Sequence, residues 1–137
     1  MAELGSVYDF QSNIADAQEP VPLPVGEYRA SVQAAELANS KSTGKPMLVL
    51  THIVSPDQYP ADFADGNPDG EKLTVYVGLA ETPRNRWRLK KLGEMYGVMI
   101  ANRLDATAFI GQEVILHIEH EDYQGAAQAR ANPVRAV

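Results

Sequence analysis

The chain has no cysteine, which excludes disulfide staples, thiolate metal sites and a cysteine nucleophile together and leaves stability to packing. Aromatics are sparse, with one tryptophan in 137 residues. The first 24 residues contain no base, only Glu3, Asp9, Asp16 and Glu19 among charged side chains, so the basic n-region of a secretory signal is missing. No apolar run approaches the ~20 residues that a helix needs to cross a bilayer. These absences predict one soluble intracellular domain with no membrane partner.

Phosphate binding rests on Lys and Arg, and the net charge of −6 opposes it at first sight. The distribution of charge weakens that objection. Residues 1–24 and 57–71 together hold nine acids and no base, the second segment through Asp57, Asp62, Asp65, Asp69 and Glu71. Against a whole-chain charge of −6, the rest of the molecule therefore carries +3. A mildly basic body with two acidic appendages is compatible with a nucleic-acid partner. Acidic segments that merely solvate the protein remain the ordinary alternative.

Pro20-Val21-Pro22-Leu23-Pro24 favours extended backbone and makes residues 1–24 an acidic arm leading into a domain over 25–137. From Gly26 to Leu37, Tyr28, Ala30, Val32 and Ala34 alternate with polar residues, the period of a half-buried strand. Ser40 to Pro46 is dense in turn formers, and Met47 to Val54 reads as a second strand. A proline- and glycine-rich loop precedes a third strand in which Leu73, Val75 and Val77 alternate with Thr74 and Tyr76. A helix starts with Thr82 as N-cap and Pro83 at its first position, and Gly97 stops it. A helical turn at Asp105, a fourth strand through Val114, Leu116 and Ile118, a turn at Tyr123-Gln124-Gly125 and a weaker fifth strand complete the chain. Three strands, a helix and two strands is the order of an OB-fold: an all-β five-stranded Greek-key barrel with its main helix between strands 3 and 4.

Catalytic and metal motifs fail on inspection. Asp65-Gly66-Asn67-Pro68-Asp69-Gly70 opens like an EF-hand loop, but Tyr76 stands where the bidentate carboxylate belongs, so a polar turn is expected. Gly44-Lys45 lacks the following Ser or Thr of a phosphate loop. No nucleophile, base and orienter can be grouped, and neither an enzyme nor a cofactor or metal is expected.

Binding residues are easier to place. With Val32, Leu50 and Val75 inward, Arg29, Val49, Thr51, Thr74 and Tyr76 share the outer face of the barrel. Lys41 and Lys45 in the first hairpin, with Tyr123 and Arg130 from the last, add charge for phosphates and a ring for stacking. On the helix, Asn85, Leu89, Leu92 and Tyr96 form one side, and Trp87 falls among Arg84, Arg86, Arg88, Lys90 and Lys91. Arg84, Trp87 and Arg88 are secondary candidates for the same ligand. The competing expectation is that Trp87 plugs the bottom of the barrel, as large aromatics in small domains do.

The motifs Leu23-Pro24-Val25-Gly26-Glu27-Tyr28, Ser40 to Leu48, Trp87-Arg88-Leu89-Lys90-Lys91-Leu92, Gly97, Ile110-Gly111-Gln112-Glu113-Val114 and Tyr123-Gln124-Gly125 occur in the order of a phage family. Over about residues 20–135 the chain resembles phage-encoded single-stranded-DNA-binding proteins of replication and recombination modules. The resemblance implies an OB barrel, single-stranded DNA as ligand, replication or recombination proteins as partners, and the host cytoplasm as location. It implies no catalytic residue. Where replication-linked OB single-strand binders carry an acidic C-terminal tail, this chain reads Pro133-Val134-Arg135-Ala136-Val137 and puts its acid in the arm and the 57–71 loop. The expected function is non-enzymatic single-stranded DNA binding with little sequence preference. The alternative is a structural or protein-interaction module of a phage particle or assembly, and a homo-oligomer is open in either case.

Overall fold

The computed structural model describes residues 5–17, 19 and 21–137. Glu3 and Pro20 of the expected arm lie outside the described residues. Strands β1 (Gly26–Asn39), β2 (Pro46–Val54) and β3 (Glu71–Gly78) precede helix α1 (Pro83–Tyr96), and β4 (Glu113–Tyr123) and β5 (Ala126–Ala136) follow a 3-10 turn at Ala106–Phe109. The five strands form one antiparallel sheet in the order β3-β2-β1-β4-β5.

The alternation behind each strand survives in the burial. Leu48, Leu50 and Val54 of β2, Leu73 and Val75 of β3, and Val114, Leu116 and Ile118 of β4 are buried, while their neighbours face outward. One expected core position is different. A bulge between Val32 and Ala34 inserts Gln33 into β1, so Ala34 is exposed and Ala35 packs against the core. The extra residue reverses the side-chain phase for the rest of the strand. The bulge bends β1 where the chain before β4 meets it, with Val32 N–H donating to Gln112 O and Gly111 N–H to Val32 O.

The sheet is not closed into a barrel: no ladder joins β3 to β5 among the described residues. Pro133 lacks an N–H, and the β4–β5 register shifts between Ile115 and Leu116 to leave Val134 unpaired, which spoils β5 as a template just where β3 comes near. The two edges lie close together nonetheless, with α1 beside them.

Helix α1 is capped as its residues dictate. Thr82 Oγ1 accepts from Asn85 N–H, Pro83 occupies the first turn, and Gly97 adopts the left-handed conformation (φ 72°) at the C-cap. Its inward face carries Leu92, Gly93 and Tyr96. Tyr96 meets Phe109 from the 3-10 turn edge-on, with ring centroids 5.4 Å apart. These two rings fill the end of the core that Trp87 was expected to plug. Trp87 is 60% exposed. It lies about 170° around the helix from the centre of the buried stripe, so turning it inward would expose Leu92 and Tyr96.

The arm joins the body earlier than its composition suggests. Leu23 belongs to the core, His120 Nε2 lies 2.7 Å from Leu23 O, and Glu19 Oε1 accepts from Ala127 N–H. Ahead of that anchor Val7, Tyr8, Phe10 and Ile14 are all exposed.

Candidate nucleic-acid interface

Ladder register places the outer-face residues in rows across the sheet. Glu36, Val49 and Tyr76 form one row, Ala34, Thr51 and Thr74 the next, and Ser31, Ile53 and Lys72 a third. Val49 and Thr51 are half-buried by their neighbours, and Tyr76 stands 66% exposed. Arg29 is on the same face but toward the start of β1, where its Nε lies 3.3 Å from Glu113 Oε2. Both groups of that pair are about half exposed, so it holds Arg29 in place weakly.

The two hairpins lie at opposite ends of β1. Lys41 and Lys45 sit in the exposed turn beyond its C-terminal end, closed by Ser40 N–H to Lys45 O at 2.8 Å and Gly44 N–H to Ser40 O at 2.7 Å. The β1–β4 ladder ends at Gly26 and Ile118, so Tyr123 and Arg130 extend beyond the other end. Arg130 is directly opposite Glu119 and 3.9 Å from Glu121, two acids that offset its charge in part. The far hairpin and the β2–β3 rows are therefore not brought together by pairing.

What the fold does bring together is Tyr76 and two of the secondary candidates on α1, Trp87 and Arg88; Arg84 is exposed on the same helix but does not line the groove. A groove of about 250 Å³ runs between the edge of β3, α1 and β5, lined among others by Tyr76, Trp87, Arg88, Lys91, Asn132 and Pro133. Lys91 Nζ stands 5.4 Å from the centroid of the Trp87 ring, close enough for a cation–π contact, while also bonding Glu94 Oε2 at 3.2 Å. Asn85 fixes the groove wall by donating from Nδ2 to Gly78 O (2.9 Å) and Ala80 O (2.7 Å), tying the first turn of α1 to the end of β3. Lys91 and Asn132 were not singled out from sequence. Lys91 was legible, being four residues after Trp87 and so on the same side of the helix; Asn132 depends on the approach of β5.

A scan against protein-family models and a search of curated protein sequences find no match to this chain. The site is therefore read from its own geometry.

Electrostatically, α1 stands apart from the rest of the surface. Five of the twelve bases lie on this one helix, all exposed, against the single acid Glu94. Two of the five acids of the 57–71 loop help to hold the chain: Asp65 Oδ2 accepts from Val21 N–H at 2.9 Å, and Glu71 Oε1 from Asn67 N–H at 3.2 Å. Asn67 Oδ1 closes the turn by accepting from Asp69 N–H at 2.9 Å. Among the described residues no three His, Asp or Glu side chains converge as metal ligands. Nor does any described helix have the length and apolarity to cross a membrane.

Proposed function

We propose that this protein binds single-stranded DNA with little sequence preference and without catalysis, in phage DNA replication or recombination in the host cytoplasm. The observation that carries the reading is the groove in which two exposed aromatic rings, Tyr76 and Trp87, share walls with Arg88 and Lys91. Rings of this kind stack on any base, and guanidinium and ammonium groups beside them attract the backbone; the combination gives affinity that tolerates base changes. Lys41 and Lys45, in the turn beyond Met47 and Gly78, extend positive charge from the same end of the sheet.

The scaffold proposed for this site is an OB-fold Greek-key barrel. Its support is the strand order and the closeness of the free edges of β3 and β5, which between them and α1 leave only a groove. Joining those edges would complete a five-stranded barrel.

Stacking predicts a separation of affinity from stability. Because Trp87 and Tyr76 are 60% and 66% exposed, replacing either by Ala should leave the melting temperature close to that of the wild type. Each replacement should cost about 1–3 kcal/mol of oligothymidine affinity. A pair of variants that bind as tightly as the wild type would remove the groove from the site. The second reading, an interaction module of a phage particle or assembly, is favoured by one observation: Val7, Tyr8, Phe10 and Ile14 are exposed on an arm whose charges are acidic.

A further inference from the structure

Trp87 lines two grooves, not one. On its other side a wider depression of about 770 Å³ is lined by Glu81, Arg86, Trp87, Lys90, Ile100 and Asn102, among others. The helical period accounts for this: Arg88 and Lys91 fall on one flank of Trp87, Arg86 and Lys90 on the other. The indole is thus a ridge across α1 with two cations on either side. Tyr76 belongs to the first groove alone.

We infer that the second groove is a further nucleotide-binding subsite, and that a single strand entering past Tyr76 crosses α1 over Trp87 and leaves along Arg86 and Lys90. This path rests on the proposed single-strand binding and specifies its route. It differs from a track confined to the outer face of β2 and β3, where the row beside Tyr76 holds Glu36 and the half-buried Val49. Two features of the second groove suit a strand. Its basic side chains are exposed and, among the described residues, have no carboxylate within ion-pair distance, whereas Arg29, Arg130 and Arg135 on the sheet are each paired. Ile100 and the face of Trp87 offer apolar surface to bases, and Asn102 offers donors and acceptors to base edges or sugars.

The test uses the full chain, labelled oligothymidines of increasing length, and the intrinsic fluorescence of Trp87, the protein's single tryptophan. Affinity in the wild type should continue to rise with length after Tyr76 is covered, and binding should quench the indole. In Arg86→Gln with Lys90→Gln, affinity should level off at a shorter oligonucleotide, and the slope of log affinity against log salt should fall by about 0.7 for each phosphate no longer neutralised. Both side chains are exposed, so an unchanged melting temperature is expected and certifies the comparison. A double variant whose plateau length and salt slope equal those of the wild type overturns the crossing path while leaving single-strand binding intact. Failure of the wild type to bind any oligothymidine at low salt overturns both.

Discussion

His52 is an imidazole sealed from solvent near the C-terminal end of β2, and its hydrogen bonds fix its tautomer. Nδ1 lies 3.3 Å from Leu73 O, which can only accept, so Nδ1 carries the proton and Nε2 accepts from the Tyr96 hydroxyl at 2.5 Å. Burial pushes the His52 pKa down and that of Tyr96 up, so this pair is stable as neutral imidazole and neutral phenol. Unfolding restores the ordinary histidine value of about 6.5 and lets the chain take up a proton that the native state refuses. Between the lowered native pKa and about 6.5 the unfolded state binds more protons, and stability falls as pH falls. The loss begins near pH 6.5 and amounts to at most about 1.4 kcal/mol per pH unit until the native imidazole is itself protonated. Thermal unfolding at pH 7.5 and 5.5 should show this loss in the wild type and a much smaller one in His52→Gln; equal losses in both would place the acid sensitivity elsewhere. From its sequence His52 reads as a core-edge or barrel-mouth residue; its complete burial and its partner 44 residues away on a helix depend on the packing of α1 against the sheet.

At the scale of elements, α1 meets the loop that follows it without room for a side chain at Gly93. A Cβ there would press into the Val98 carbonyl and lie 3.3 Å from Ile100 Cγ1. Val98 N–H also donates to Gly93 O at 2.8 Å, so the loop cannot easily retreat. Helix propensity alone would favour Ala over Gly by up to about 1 kcal/mol. Overpacking of a buried site costs typically about 1–3 kcal/mol and should prevail, so Gly93→Ala should lower the denaturant midpoint at an unchanged m-value. A midpoint equal to or above that of the wild type would mean that the loop moves freely. Element boundaries such as Thr82-Pro83 and Gly97 were readable because caps are local chemistry. The bulge at Gln33 was not, since an inserted residue leaves no mark in an alternating pattern until its partner strand is known.

The whole molecule separates its charges. Acid is concentrated in the arm and the 57–71 loop, base on α1, and the sheet carries paired arginines. This segregation was visible in the order of residues, and so was the outward position of Tyr76. The meeting of Tyr76 with Trp87, Arg88 and Lys91 was not, because it depends on how closely β3, α1 and β5 approach. The size of Trp87 pointed to the core while its place on the helix pointed outward, and the fold follows its place because Tyr96 and Phe109 already occupy the core end. Single-strand binding through α1 is the central claim, and the most direct test is titration of a labelled oligothymidine, and of a mixed-sequence oligonucleotide of equal length, at low and moderate salt. The account predicts saturable binding that weakens with salt by a slope of about 0.7 per phosphate neutralised and differs little between the two sequences. No binding at low salt, despite the exposed bases of α1, would contradict it.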